Sequence, residues 1–364
     1  MTKTLSKKAI PKKLGLLNVG GIGDNLLFSP VIHSLRQVFK EHSPSTQLVM
    51  LLERRSQAAI DLMPPLDEVI CLDIQGKPKT QVAFETWQAL KSNGLDGIIS
   101  CGSSKPIAPL LWASGVPFKV GFDAGILSKN LLTATTPLKS QAYAGTMYHA
   151  LAESALEALG LPQPEVRLLE PRIALTPADM AWYREAIVPL LPSNNKLLVL
   201  VHPGVSQLSI DKGIVKRWHP KRWAEAIAQL SPHATVMLAG GPDDADTITA
   251  IQQTLATEHS QAAASLVSLA GVTKSLRHLA VIMAHMQLVL CTDSAPMHVA
   301  VGVEAPIVAL FGDLDPVRLL PPHPRYMALK ETVGITRTNP AYLEISVEAA
   351  VSATLSKLLT PILL

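Results

Sequence analysis

The chain has 364 residues, 48% of them apolar and 17% charged, which excludes a disordered protein and gives enough length for two cores. No run reaches the roughly 18 uninterrupted apolar residues that a membrane-spanning helix needs. The net charge is +3, and residues 171–364 carry 15 basic against 15 acidic side chains, so the folded body is not a general nucleic-acid binder.

The N-terminal residues 1–13 form a basic tail with Lys3, Lys7, Lys8, Lys12 and Lys13 ahead of the first expected strand. The tail has no apolar core of its own, so it is not a secretory signal. It reads either as a solubilising leader or as a contact for the inner leaflet of an anionic membrane. Leu14–Val19 then reads as a strand, Asn25–Lys40 as a helix, Leu48–Leu52 and Val69–Leu72 as strands, Lys79–Ser92 as a helix and Leu95–Ser100 as a strand. Helical periodicity returns at Tyr148–Leu159 and stops at Gly160, a C-cap with Pro162 beyond it. Residues 160–177 hold Pro162, Pro164, Pro171 and Pro177 with little periodicity, and read as a linker.

Strands resume at Leu197–Val201, Thr235–Ala239, Leu266–Leu269, Leu288–Cys291 and Ile307–Phe311, with helices between them, and Glu344–Leu359 reads as a final amphipathic helix. This alternation predicts an α/β protein of two doubly wound parallel-sheet units in tandem, with a ligand cleft between their strand C-terminal edges. Cys71, Cys101 and Cys291 are few, odd in number and far apart, which excludes a disulfide framework or a cysteine zinc site and suits a reducing cytoplasm.

The chemistry concentrates at strand ends. Gly20-Gly21-Ile22-Gly23-Asp24 follows the first strand and opens the first helix, but Leu26 stands where a dinucleotide fingerprint needs its third glycine. Asp24 there reads equally as a helix cap and as a general base for a hydroxyl. His202-Pro203-Gly204, with Ser206 behind it, leads through a loop to Lys216, an order that suits phosphate charge and equally describes a lysine solvated in a polar loop. Ala239-Gly240-Gly241-Pro242-Asp243-Asp244 is another strand-to-helix turn, whose carboxylate either takes ribose hydroxyls or caps a helix. Asp293-Ser294-Ala295-Pro296-Met297-His298 follows the apolar run Met286–Cys291, and a helix N-terminus placed there holds phosphate through free backbone N–H groups. The same pattern also describes an ordinary capped helix with a core histidine. Asp244-Ala-Asp246 and Asp313-Leu-Asp315 lie where acidic caps are expected, so metal binding is not expected of them.

Together these segments resemble glycosyltransferase family 9, the ADP-heptose:lipopolysaccharide heptosyltransferases. The match runs through Gly21-Ile-Gly-Asp24, Ser29-Pro30-Val31 and Leu35-Arg36, then His202-Pro-Gly204 with Lys216-x-Trp218. It continues through Gly240-Gly-Pro-x-Asp244 and the block from Asp293 to His298, Pro306, Leu310-Phe-Gly312 and Asp315-Pro316. The resemblance covers roughly residues 14–358. It implies a GT-B fold of two Rossmann-like domains, 14–170 for the acceptor and 171–340 for the nucleotide-sugar, with a C-terminal helical segment 341–364 able to pack back on the first. It further implies an inverting, metal-independent transfer without a cofactor, in the cytoplasm or peripheral to the membrane, from a nucleotide-sugar donor such as ADP-heptose to a glycolipid or glycan acceptor. On that reading Asp24 is the base, with Gly21 and Gly23 in the acceptor-side loop. Lys216, the Ser294 and Ala295 amides and His298 hold the diphosphate, Ser206 belongs to the donor-binding loop, Asp244 binds ribose, and Asp293 orients its loop or meets the donor sugar. Ala295 stands where the family usually has glycine. Two other readings compete: a non-catalytic nucleotide- or sugar-binding protein of the same shape, and an NAD(P)-dependent oxidoreductase built on the Gly20–Asp24 loop.

Overall fold

The computed structural model describes residues 9–359. The chain divides into two compact units, residues 1–172 and 173–364. The division falls inside the proline-rich stretch.

The first unit is built on strands β1 (Lys13–Asn18), β2 (Gln47–Glu53), β3 (Glu68–Leu72), β4 (Gly97–Ser100), β5 (Phe118–Asp123) and β6 (Ala134–Pro137). They pair in parallel in the order β3-β2-β1-β4-β5-β6. Both faces of the central strands are covered, which is why β2 reads as an unbroken apolar run rather than an alternating one. The helices Ile22–His42 and Ala144–Leu159 pack together as one layer, and the helices Lys79–Ser92, Ile107–Ala113 and Ile126–Leu131 form another. The helix Ala144–Leu159 ends at Gly160, whose left-handed φ of 68° admits the turn that a side chain would strain.

The second unit repeats the plan with β7 (Leu197–His202), β8 (Ala234–Leu238), β9 (Val267–Ser268), β10 (Leu288–Thr292), β11 (Ile307–Phe311) and β12 (Tyr326–Lys330), in the order β12-β11-β10-β7-β8-β9. Counted within its own unit, each sheet therefore runs 3-2-1-4-5-6. Strand order reverses between β1 and β4, and between β7 and β10. In open parallel sheets ligands bind outside the strand C-termini at such reversal points.

Several expectations need correction. Lys13 belongs to β1 and pairs with Glu68 at 2.6 Å, and the Lys12 and Lys13 backbone amides donate to the Asp96 carboxylate. Those two lysines are thus part of the sheet edge and not of a tail, whereas Lys3, Lys7 and Lys8 lie outside the described residues. Pro177 opens the helix Pro177–Ala186 instead of closing a linker. Proline suits the first helical position, and Thr176 and Asp179 cap each other reciprocally in front of it. The loop before Lys216 contains a short helix, Gln207–Asp211. The last helix begins at Val347 and buries Val347, Ala350 and Val351 in the core of its own unit, beside Trp218 and Trp223. Trp218 Nε1 donates to the Ile345 carbonyl at 2.9 Å. Among the described residues no helix is long and apolar enough to cross a membrane.

Candidate active site

In the first unit the turn after β1 is held by side chains from three places. Asn18 accepts from the Gly20 amide at 2.9 Å and donates to the Asp24 carbonyl at 3.1 Å. Asn25 donates to the carbonyls of Gly20 and Gly21, and Ser56 donates to the Gly20 carbonyl at 2.8 Å. The backbone passes close to the Asp24 side chain, since a Cβ on Gly20 would sit 2.5 Å from the Asp24 Cβ. Asp24 is the third residue of its helix, and its Oδ2 accepts from the Gly21 amide at 2.8 Å. The residue is exposed, and no hydrogen bond to its other carboxylate oxygen occurs among the described residues. Asp24 thus caps its helix with one oxygen and leaves the other facing solvent. Gly23 lies one residue before it in the first turn. Cys101, in the turn after β4, lies close enough that burial first and the Asp24 charge second push its thiol pKa upward.

The second unit places four of the expected groups around the end of β10. Lys216 Nζ lies 3.1 Å from Asp293 Oδ2, with both side chains largely buried. Ser294 is the N-cap of the helix Ala295–Gly302 and makes no side-chain cap, so the first-turn amides of this eight-residue helix have no side-chain acceptor from it. Ser294 Oγ instead donates to the Thr292 carbonyl at 3.4 Å. His298 is 5% exposed, and its Nδ1 has no hydrogen-bond partner among the described residues. Burial, with Lys216 adding to it, lowers the His298 pKa to about 3, so the imidazole is neutral at neutral pH and one of its nitrogens carries a proton to donate. A buried polar atom without a partner is costly and rare in a folded protein. Here it sits beside a lysine and a helix N-terminus.

Other expected residues make contacts within and between their own turns. Ser206 is exposed, and its hydroxyl caps the short helix Gln207–Asp211. Asp244 is buried, and its Oδ2 accepts from the Gly241 amide at 2.8 Å. Its carboxylate lies so close to Gly204 that a Cβ there would come within 2.3 Å of an oxygen. It packs the turn after β8 against the turn after β7. His202 is buried in that second turn, accepts from the Gly204 amide at 3.3 Å, and has its pKa lowered by burial against the opposing pull of Asp244. Sequence reasoning missed Thr292, whose Oγ1 donates to the Gly204 carbonyl at 3.0 Å and ties the β7 and β10 turns together. Of the second Asp-x-Asp triplet, Asp313 pairs with Arg337 at 2.8 Å and Asp315 caps the helix Pro316–Leu319.

Residues 83–339 match glycosyltransferase family 9 (heptosyltransferase). The chain is 24% identical over 305 residues to lipopolysaccharide heptosyltransferase 3 of Escherichia coli strain K12, covering 81% of each chain. It is 23% identical over 316 residues to lipopolysaccharide heptosyltransferase 2 of Salmonella typhimurium, covering 84% of each. Among solved structures it is similar to E. coli ADP-heptose lipopolysaccharide heptosyltransferase II, with a TM-score of 0.67 at 21% identity over 95% of this chain and 98% of that one. It is similar also to a family 9 glycosyltransferase from Veillonella parvula, with a TM-score of 0.68 at 20% identity over 95% and 97%. The shared architecture is the GT-B fold, two Rossmann-like parallel sheets in tandem. With the family match spanning most of its length and the conserved plan of both sheets, the protein belongs to glycosyltransferase family 9, the heptosyltransferases, and is a glycosyltransferase.

Proposed function

We propose that the protein transfers heptose from ADP-heptose to a lipopolysaccharide core or related glycan acceptor, with inversion, without a metal ion and without a cofactor. One observation carries the donor half of this reading: the unpartnered, buried Nδ1 of His298 beside Lys216, at the N-terminus of a helix that leaves the sheet at its reversal point. A leaving diphosphate needs its growing negative charge met as the bond to the sugar breaks. The Lys216 ammonium supplies a full charge, the neutral His298 a hydrogen bond, and the amides of Ser294 and Ala295 the positive end of the helix. Asp293 holds Lys216 in place and faces the donor sugar. Asp244 shapes the ribose side by fixing the two neighbouring turns, and Ser206 lies on the outer rim.

Asp24 takes the proton from the attacking acceptor hydroxyl through the carboxylate oxygen not used by Gly21. The glycine turn, with Gly21 and Gly23, leaves room for that acceptor. The enzyme works in the cytoplasm, at the inner face of the membrane that carries the acceptor. Calorimetric titration with ADP, UDP, GDP, CMP and NAD tests the donor class. ADP should bind tightest, and preference for another nucleotide would refute the donor assignment.

A further inference from the structure

One face of the first unit is unusually apolar for a surface. The helix Lys79–Ser92 buries only Thr86 and Leu90 and turns Phe84 outward at 58% exposure. The Phe84 and Trp87 rings lie 5.9 Å apart, and Trp87 Nε1 donates to the Ala113 carbonyl at 2.9 Å. That bond joins the first helix to the end of the helix Ile107–Ala113, where Trp112 is 60% exposed. The helix Ile126–Leu131 packs beside the second and exposes Ile126 at 80% and Leu127 at 58%. Scattered exposed apolar residues are ordinary, but two aromatics and two aliphatics on three neighbouring helices make a patch.

The charge around this patch has one sign in excess. Residues 77–131 carry six lysines against three acidic residues. Glu85 pairs with Lys77 at 2.9 Å and Asp123 with Lys129 at 3.2 Å, while Asp96 is taken by the Lys12 and Lys13 amides. Lys79, Lys91 and Lys105 have no carboxylate partner among the described residues. Lys91 lies over the Trp87 ring, 4.9 Å from its centre. Aromatic rings with lysines alongside suit the boundary between lipid tails and anionic headgroups, where the ring is half-buried and the ammonium stays wet. A protein partner of ordinary composition would not require that excess of unpaired lysine.

The patch also has a useful position. The helix Ile126–Leu131 begins just after β5, on the same sheet edge as the Asp24 turn after β1. In the order β1-β4-β5 the two strands are two steps apart, about 10 Å at ordinary strand spacing.

We propose that the outer face of the helices Lys79–Ser92, Ile107–Ala113 and Ile126–Leu131 is the surface by which this protein rests on an anionic membrane. The face brings the Asp24 edge toward a lipid-held acceptor, and in that respect it rests on the function proposed above. The N-terminal lysines are then an accessory and not the anchor.

Flotation of the full chain with phosphatidylcholine vesicles, with and without phosphatidylglycerol, tests this. Binding should require the anionic lipid and weaken with salt. Phe84→Gln with Trp112→Gln should lower the partition coefficient by roughly tenfold or more, the scale of withdrawing two large apolar side chains from an apolar phase. Thermal unfolding of that variant, followed by circular dichroism, should match that of the wild-type protein, showing that its first unit is folded. A second variant, Lys91→Gln with Lys105→Gln, should weaken binding and flatten its salt dependence. The vesicles contain neither donor nor acceptor, so the result stands apart from whether the sugar is heptose. Three outcomes would overturn the assignment: wild-type binding by the aromatic variant, abolition of binding by removing residues 1–8 alone, or a dimer in light scattering that the aromatic substitutions dissolve.

Discussion

Replacing His298 by alanine should weaken ADP binding while leaving adenosine binding almost untouched. The size follows from the state of the imidazole. It is more than nine-tenths buried and neutral, with its pKa lowered to about 3, so on the proposed function it gives the diphosphate a hydrogen bond and no net charge at neutral pH. A hydrogen bond to a charged group contributes about 1.5–3 kcal/mol. The dissociation constant for ADP should therefore rise roughly 10- to 150-fold. The loss should stop there, because the Lys216 ammonium and the helix N-terminus remain. Calorimetric titration of both proteins with ADP and adenosine measures the two effects separately, and His298→Gln, which keeps an N–H donor, should recover part of the loss. Unchanged ADP affinity in His298→Ala would refute the phosphate role. A parallel fall in adenosine affinity would show instead that the cavity left by the imidazole had deformed the site.

Asp24→Asn keeps the cap on Gly21 possible but removes basicity, so turnover should fall about 10²–10⁴-fold with donor affinity nearly constant. Normal turnover in a folded Asp24→Asn protein would reduce Asp24 to a cap. Transfer should persist in excess EDTA, and its loss on chelation with recovery by Mn²⁺ or Mg²⁺ would show that a metal shares the diphosphate charge. The folded His298 pKa of about 3 lies below the ordinary 6.5, so its contribution to stability is complete above 6.5 and is lost as pH falls, when the unfolded imidazole takes up the proton first. Between about pH 7 and pH 5 this amounts to ~2 kcal/mol. Urea unfolding at the two pH values should show a correspondingly smaller acid loss in His298→Gln, and equal losses in the two proteins would contradict the neutral buried state.

Most strands that were legible in the sequence are buried on both faces, although the edge strands β3 and β9 also showed as short apolar runs. Ile307–Phe311 is an unbroken apolar run between a proline and a glycine, and the structure gives it those limits. The missed strands are near or at sheet edges. β5 is interrupted by Lys119 and Gly121, β6 is mostly polar and ends in a proline, and β12 is only half-buried. Edge position removes the need for apolar side chains on both faces, and with it the signal. The first helix starts three residues before the apolar pattern does, because Gly21 serves as its N-cap and Asp24 closes the turn from the third position. At the candidate site, residues grouped by motif at strand ends were legible. Ser56 and Thr292 were not, since each binds a backbone carbonyl 36 or 88 residues away, and no local spacing encodes such a tie.

The two units use one device for two purposes. Gly20-Gly21-Ile22-Gly23-Asp24 and Gly240-Gly241-Pro242-Asp243-Asp244 each follow a sheet strand. In each, the aspartate Oδ2 accepts from the amide three residues before it at 2.8 Å, and the first glycine leaves room for the aspartate Cβ. The surroundings differ. Asp244 is closed in by Gly204 and the His202 turn, which leaves its carboxylate as a clamp between loops. Asp24 faces solvent, and the polar groups that steady its turn, Asn18, Asn25 and Ser56, bind the backbone rather than its carboxylate. A carboxylate must be both positioned and accessible to accept a proton from a substrate. Of the two equivalent aspartates Asp24 alone meets both conditions. On the proposed function, that asymmetry gives the proton transfer to the first unit and leaves the second to hold charge.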